Sequence, residues 1–422
     1  MRVLLTAAYV ALMAIPAFPA AITVDQAGGA DYETIQEGVD AAAPGDTVLV
    51  IPSAAYTGEG NRDIDFHGNN ITLERHNEHT GNVLVDCENS GRGFYFNSGE
   101  DTTAVVRRFT VANGHADGSG GAVYCDGGSS PVFESCVFSD NYATVDGGAA
   151  YCNNGADARF RECEFNYNTS ARFGGGVFLQ TSATRFYRCM FSLNSSMDQG
   201  GGAAMCYLAP AVFKNCNFMG NTVVLGQGGA IYTQESDITV QECIFHGNDA
   251  TNAGAVSLWK ASSPVIDGCD FTNNSSTLYA GAVWCRDGAD ATITNTNFMR
   301  NDCTSEAAGV TCRNASPTIA NCVLAWNYTG SAVSCYLGTE TPEITHCYVF
   351  ENEGGDTLCG YYHDNRFEDP YMCPGLPSPV AFCSDSPCVQ ENNPWGETVG
   401  RGEVGCGDCT DPVEQTTWGA IK

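Results

Sequence analysis

The residues of this 422-residue chain that could do chemistry are few and scattered. Three carboxylate pairs lie close in sequence: Asp267 with Asp270, Glu162 with Glu164, and Asp287 with Asp290. Two carboxyl groups held near each other can divide acid and base work at a glycosidic bond. Seven histidines are spread along the chain, and none falls in a recognisable triad. Cys406-Gly407-Asp408-Cys409 has a metal-ligand spacing, but no paired histidines accompany it, and no metal site is assigned. The most informative outward feature is aromatic. Tyr124, Tyr151, Phe178, Tyr232 and Trp284 occupy one recurring position, shared with Met205, Ser257, Thr311 and Ser334. Aromatic rings on an exposed strand face can stack on sugar rings or dock a protein. Two structural explanations compete: loops or the C-terminal segment fold over the strip, or neighbouring rings simply pack on each other.

These residues are positioned by a repeat. From Gly120 to Asn352 a unit of 25–27 residues recurs nine times. It opens on small residues, as in Gly120-Gly121-Ala122-Val123-Tyr124-Cys125, and closes as in Cys136-Val137-Phe138-Ser139-Asp140-Asn141. A period this regular marks a solenoid. Within one unit Val123 and Cys125 share one strand face while Ala122 and Tyr124 share the other. Phe133 starts an inward column continued by Phe160, Phe186, Phe213, Val240, Ile266, Ile293, Ile319 and Ile344. A second column runs Phe138, Phe165, Phe191, Phe218, Phe245, Phe271 and Phe298, closed by Leu324 and Val349. Coils stacked about 4.8 Å apart place like on like. The same stacking brings outward acids together by geometry alone, so the carboxylate pairs carry little weight as catalytic signals. The closing asparagines (Asn141, Asn168, Asn194, Asn221, Asn248, Asn274, Asn301, Asn327 and Asn352) read as a stacked amide ladder. Asparagine tolerates left-handed backbone and bonds nearby main chain, which explains it without glycosylation at the Asn-x-Ser/Thr triplets. The expected fold is all-β: a right-handed parallel β-helix of about 12 coils at the strand spacing.

Residues 1–20 carry one positive charge (Arg2) and then an uncharged apolar run, the pattern of a secretory signal peptide. No other segment could cross a membrane, so none spans one after signal removal. Residues 21–118 hold an N-terminal cap and the first coils. Asp31 to Ala43 reads as a short amphipathic helix covering the open end, with Ile35, Val39 and Ala42 on one face and Pro44-Gly45-Asp46 ending it. Residues 119–352 are the regular repeats. Residues 353–410 bring Cys359, Cys373, Cys383, Cys388, Cys406 and Cys409 together in a Gly-, Pro- and Asp-rich stretch, expected to be a disulfide-stapled cap whose pairing is open. The cysteines inside the repeats form two inward columns and are expected to be mostly free, buried thiols, because stacked parallel Cβ vectors suit a disulfide poorly. Residues 411–422 form a polar tail with one apolar patch, Trp418-Gly419-Ala420-Ile421.

Two resemblances follow from these segments. Tyr32-Glu33-Thr34-Ile35-Gln36, with Val39-Asp40-Ala41-Ala42 and Pro44-Gly45-Asp46-Thr47-Val48, resembles the opening module of the pectate-lyase-like right-handed β-helix superfamily. Gly228-Gly229-Ala230-Ile231 with Phe245-His246-Gly247-Asn248 resembles the polymorphic outer-membrane-protein repeat of chlamydial and other bacterial surface proteins. The stretch Phe382 to Cys409 is similar to closing segments of exported bacterial β-helix proteins. The resemblance implies secretion, a cell-surface or outer-membrane location and, in some members, adhesion. Those proteins usually carry a C-terminal membrane β-barrel; too little chain follows these repeats for one, so anchoring by that route is not expected. Pectate-type lyases use clustered aspartates for calcium and a basic residue for proton abstraction. Polygalacturonase-like hydrolases use Asn-Thr-Asp, Asp-Asp and Gly-His-Asp motifs. Asn113-Gly114-His115 and Asn295-Thr296-Asn297 approach these only in letters.

The net charge of −30 excludes nucleic acid as a partner and disfavours an anionic membrane. It also makes a polyanionic substrate awkward unless calcium bridges it. Acidic loops offer calcium ligands, but no ordered calcium loop is present and a solvated acidic surface accounts for them. The favoured reading is an exported, non-catalytic surface β-helix without cofactor, binding a polysaccharide or cell-surface protein through the aromatic column. A lyase or hydrolase with a divergent site and a purely structural envelope protein are the alternatives.

Overall fold

The computed structural model describes residues 21–409, apart from 53, 261, 374–380 and 408. The signal-peptide segment and the polar tail lie outside the described residues. Each regular coil lays down four short strands. In one coil these are Val123–Cys125, Val132–Glu134, Val137–Ser139 and Tyr142–Ala143. Each pairs in parallel with its equivalent in the next coil, as in Phe133 to Phe160 to Phe186. The stacks build a long sheet of 14 strands, from Ala21–Val24 to Tyr361–His363. A second sheet has 11 strands, from Ile64–Asp65 to Ser331–Cys335, and a third has 11, from Val83–Asp86 to Tyr348–Phe350. A fourth has 8 two-residue strands, from His115–Ala116 to Asp302–Cys303. The solenoid has about 14 turns, more than the 12 expected, because its first and last rungs lack the repeat's signature residues.

The columns explain why these residues make this shape. Phe133, Phe160, Phe186 and Phe213 are fully buried. Their rings stack 4.9–5.1 Å apart and nearly parallel. The second column behaves alike, with Phe218, Phe245 and Phe271 at 4.7 and 4.5 Å. Each such side chain contributes roughly 1.5–3 kcal/mol on burial. Corners are made by left-handed backbone at Ser135 (φ 52°) and Asp140 (φ 56°), and at the same positions in later coils. The left-handed residue is therefore the one before each ladder asparagine, not the asparagine itself. The repeat's second glycine has a steric reason. A Cβ on Gly148 would lie 2.1 Å from the Gly175 carbonyl oxygen, and one on Gly202 2.2 Å from that of Gly229.

The asparagines are buried. Asn168 Nδ2 donates to Asn194 Oδ1 at 2.9 Å and to the Phe138 carbonyl at 2.9 Å. Its Oδ1 accepts from the Asn141 backbone and side-chain amides. Asp356 ends the ladder by accepting from Asn352 N and Nδ2. Burial removes these amides from reach of any modifying enzyme in the folded chain.

At the N-terminal end, the helix Ile35–Ala41 is started by a Thr34–Glu37 capping box and buries Ile35, Gly38 and Val39. At the other end the cysteine-rich segment begins as the expected cap, with Leu358 and Cys359 packed against the core, and its later part turns aside. Met372, Phe382, Cys388 and Val399 pack on Met299, Val323, Ala325 and Tyr348, the outer face of the third sheet. That part therefore lies along the flank of the last coils, and the final rung Tyr361–His363 stays exposed. The disulfides are Cys335–Cys359, Cys373–Cys406 and Cys383–Cys409. Two corrections follow. Cys388 is a free, buried thiol, because it faces the apolar contact with the third sheet. Cys335, expected to be a ladder thiol, bonds Cys359, because in the last coil no further rung covers it. Sixteen cysteines, Cys388 among them, are free and buried. In the Cys136 column each sulfur sits against a carbonyl of the preceding coil, as with Cys136 Sγ and Val106 O at 3.5 Å.

Candidate ligand-binding face

The carboxylate pairs are committed to the scaffold. Asp267 accepts from Thr294 Oγ1 at 2.7 Å and Asn295 Nδ2 at 2.8 Å. Asp270 is fully buried, lies 3.3 Å from Arg401 and accepts from Asn297 Nδ2. Glu162 pairs with Arg188 at 3.3 Å, and Glu164 accepts from Asn166. Asp287 accepts from Trp259 Nε1, and Asp290 from the Ser316 amide. In Asn113-Gly114-His115, Asn113 bonds Asp86 and the Gly114 amide bonds Asn141. A cavity of about 220 Å³ lined by Glu74, Arg107, Arg108, Glu134 and Ser135 neutralises itself. Its Arg107 lies 2.6 Å from Glu134 and 3.4 Å from Glu74.

The outer face of the second sheet is different. Strand alternation gives it two outward columns. The first contains the expected candidates, and here the structure departs from the exposed strip read from sequence. Tyr151, Phe178, Tyr232 and Trp284 are only 1–8% exposed; Tyr124 alone of the five is half-exposed. The rings point away from the core but are covered. Phe173, from the turn leading into the strand, packs 5.8 Å from Phe178 and 6.3 Å from Tyr232. Tyr279 stacks on Trp284 at 4.3 Å. Tyr124 is flanked by Tyr95 at 5.1 Å and Tyr151 at 5.4 Å. Tyr151 donates to Gln180 Oε1 at 2.8 Å, and burial pushes its phenol up to about 12. The column is also interrupted at Ser257, which splits it into two apolar clusters.

The second outward column lies two residues further along each strand and forms the surface itself: Gln180, Tyr207, Gln234, Trp259, Arg286 and Arg313, successive partners in register. All six are half-buried. Arg286 lies between two indoles, its Cζ 4.4 Å from the Trp259 ring and 4.5 Å from the Trp284 ring. Its Nη2 reaches Tyr232 Oη at 3.5 Å. Burial lowers its proton affinity from the ordinary arginine value. Arg313 lies over the Tyr336 ring at 5.3 Å. Sequence reasoning passed over this column because it followed the stronger aromatic signal one pleat earlier. The available clue was that Arg286 and Trp259 lie two residues after Trp284 and Ser257, on the same side of their strands.

Comparison with known proteins bears on the scaffold. The family described as right handed beta helix region matches residues 205–369. The Chlamydia polymorphic membrane protein repeat matches residues 135–153. The chain is a right-handed parallel β-helix, and residues 135–153 match a polymorphic-membrane-protein-type repeat. No curated protein matches it. Among solved structures, this β-helix is similar to a GH136 lacto-N-biosidase from Eubacterium ramulus, at 10% identity and a TM-score of 0.27, covering 82% of this chain and 67% of that one. At that score the likeness carries no functional argument.

Proposed function

We propose that this is a surface β-helix that works by binding, with a glycan as its ligand and the outer face of the second sheet as its contact surface. The repeat type implies surface or outer-membrane association. Among the described residues no helix is long and apolar enough to cross a membrane. The observation that supports this reading is the column of Gln180, Tyr207, Gln234, Trp259, Arg286 and Arg313. Side-chain amides and guanidinium groups bond sugar hydroxyls, and half-exposed rings offer flat apolar area to sugar faces. The buried aromatics beneath hold that column rigid. A polymer lying along the β-helix axis would meet one such side chain per coil, about every 4.8 Å. The carboxylate pairs read from the sequence are held by hydrogen bonds and ion pairs, which favours binding over acid–base chemistry.

The test is retention of the protein on a panel of plant, algal and bacterial polysaccharides, with and without calcium, while following release of reducing ends and unsaturated uronate. The expected result is retention without turnover, weakened at least tenfold by Trp259→Ala. Turnover of any polymer would replace this reading with an enzymatic one. Retention indifferent to Trp259→Ala would move the ligand to another face.

A further inference from the structure

Arg286 is out of place in two respects. The chain has 49 acidic against 19 basic side chains, so a positive charge finds a carboxylate easily. Ten arginines among the described residues are in ion pairs with carboxylates. Arg286 is in none of them, although it is more enclosed than most. The carboxylate of Asp287, next in the chain, accepts from Trp259 Nε1 at 3.0 Å. Arg313, its neighbour in register on the next strand, also lacks a carboxylate partner among the described residues. Like charges directly opposed on neighbouring strands are destabilising.

The hydrogen-bond inventory points the same way. Arg286 Nε and Trp284 Nε1 are both buried without an acceptor. Trp284 is 1% exposed, so its N–H sits in the protein interior. A buried donor left unpaired is costly, and here two lie side by side, with the Arg286 guanidinium over the Trp284 ring. Both are donor-only groups. Asp287, the next residue in the chain, is held by Trp259 Nε1, which leaves the Arg286 guanidinium without a bidentate carboxylate, and its plane is shaped to take two oxygens of an anionic group at once.

We infer that Arg286, with Arg313 beside it, is the anion-recognising end of the binding face, and that the glycan it takes is acidic, bearing a carboxylate or a sulfate ester on its sugar rings. The anionic group bonds the outer Nη end of the Arg286 guanidinium on its Trp259 side, and the sugar ring that carries it lies against Trp259. This inference rests on the glycan-binding reading above and narrows it. It also explains how a chain of net charge −30 tolerates an anionic ligand. The positive charges free of a carboxylate ion pair there are Arg286 and Arg313, since Lys260 beside Trp259 pairs with Glu235 at 2.8 Å, and water is partly excluded at the half-buried guanidinium, where charge interactions are stronger.

Matched polymers test it. Native affinity electrophoresis would be run in gels containing dextran, carboxymethyl-dextran and dextran sulfate, and polygalacturonate beside neutral galactan. The expected result is retardation by an acidic polymer and not by its neutral counterpart. The carboxylated and sulfated gels separate the two sources of charge. Arg286→Gln should lower the retained affinity at least tenfold, and Arg313→Gln several-fold. Arg188→Gln, an exposed arginine on another face, should leave it unchanged. Arg313→Gln alters a half-exposed side chain and keeps the test decisive if Arg286→Gln unfolds. Retardation by neutral glycans alone, or acidic retention indifferent to both substitutions, would overturn this inference while leaving glycan binding standing. No retardation by any polymer in this panel or the wider polysaccharide panel would overturn both.

Discussion

At the scale of single residues, the asparagine ladder shows how a side chain can act as backbone. Each amide accepts the main-chain N–H of the ladder position in the previous coil and donates to a carbonyl of that coil's preceding strand, as Asn221 does with Asn194 N and Phe191 O. Asn221→Ala strips partners from both neighbours at once. Each buried group left unsatisfied costs about 1–3 kcal/mol. The variant should lower the urea midpoint by an amount corresponding to several kcal/mol, where the same change at the exposed Asn77 should have almost no effect. The buried thiols give a second residue-scale prediction. Burial pushes the Cys87 and Cys285 thiols up to about 12, so the thiolate is absent at neutral pH and the sulfur is covered. A thiol reagent at pH 8 should label almost none of the sixteen free cysteines in the native protein and all of them in denaturant; rapid native labelling of the ladder would contradict the packing. The asparagine and phenylalanine columns were legible in the sequence because their identity recurs at the period. The left-handed corner was placed one residue late, because the recurring residue drew attention away from its variable predecessor, where Asp140, Tyr167 and Leu193 all adopt positive φ.

At the scale of strands and turns, the repeat's glycines are set by backbone contact between coils. Gly202→Ala would push a methyl group into the Gly229 carbonyl and against Thr222. It should destabilise the protein by about 1–3 kcal/mol, as overpacking does, and by more than Gly155→Ala, where the space is open and only the left-handed φ of 79° resists. A melting comparison of the two variants separates steric contact from conformational preference. The same scale explains what was misread on the second sheet. Alternation correctly sent Tyr151, Phe178 and Tyr232 outward, but alternation cannot say what covers an outward residue. Phe173 and Tyr279 come from turns whose composition varies from coil to coil, so no column announced them. Arg286 was missed for a related reason: its lack of a carboxylate partner is a fact of three-dimensional neighbours, invisible in a sequence rich in acids.

At the scale of the whole molecule, the β-helix is a rod whose flank is finished by the cysteine-rich segment. Arg401 fastens that segment, donating to the Cys243 carbonyl at 2.9 Å and lying 3.3 Å from buried Asp270. Arg401→Ala should loosen residues 370–409 from the third sheet, seen as faster proteolysis there and dye binding at Val323 and Tyr348, with the upstream coils still folded. The repeat architecture was readable from end to end of residues 120–352, whereas the flank position was not, since cysteine spacing leaves both pairing and docking site open. Ligand is proposed to meet the outer face of the second sheet. Hydroxyl-radical footprinting of the intact protein, free and saturated with whichever polysaccharide it retains, tests this most directly. Oxidation of Tyr207, Trp259 and Tyr336 should fall on binding, while Tyr167, Met197 and Met219, exposed on other faces, should oxidise as before. Protection of Tyr167, Met197 and Met219 with Trp259 left reactive would contradict it.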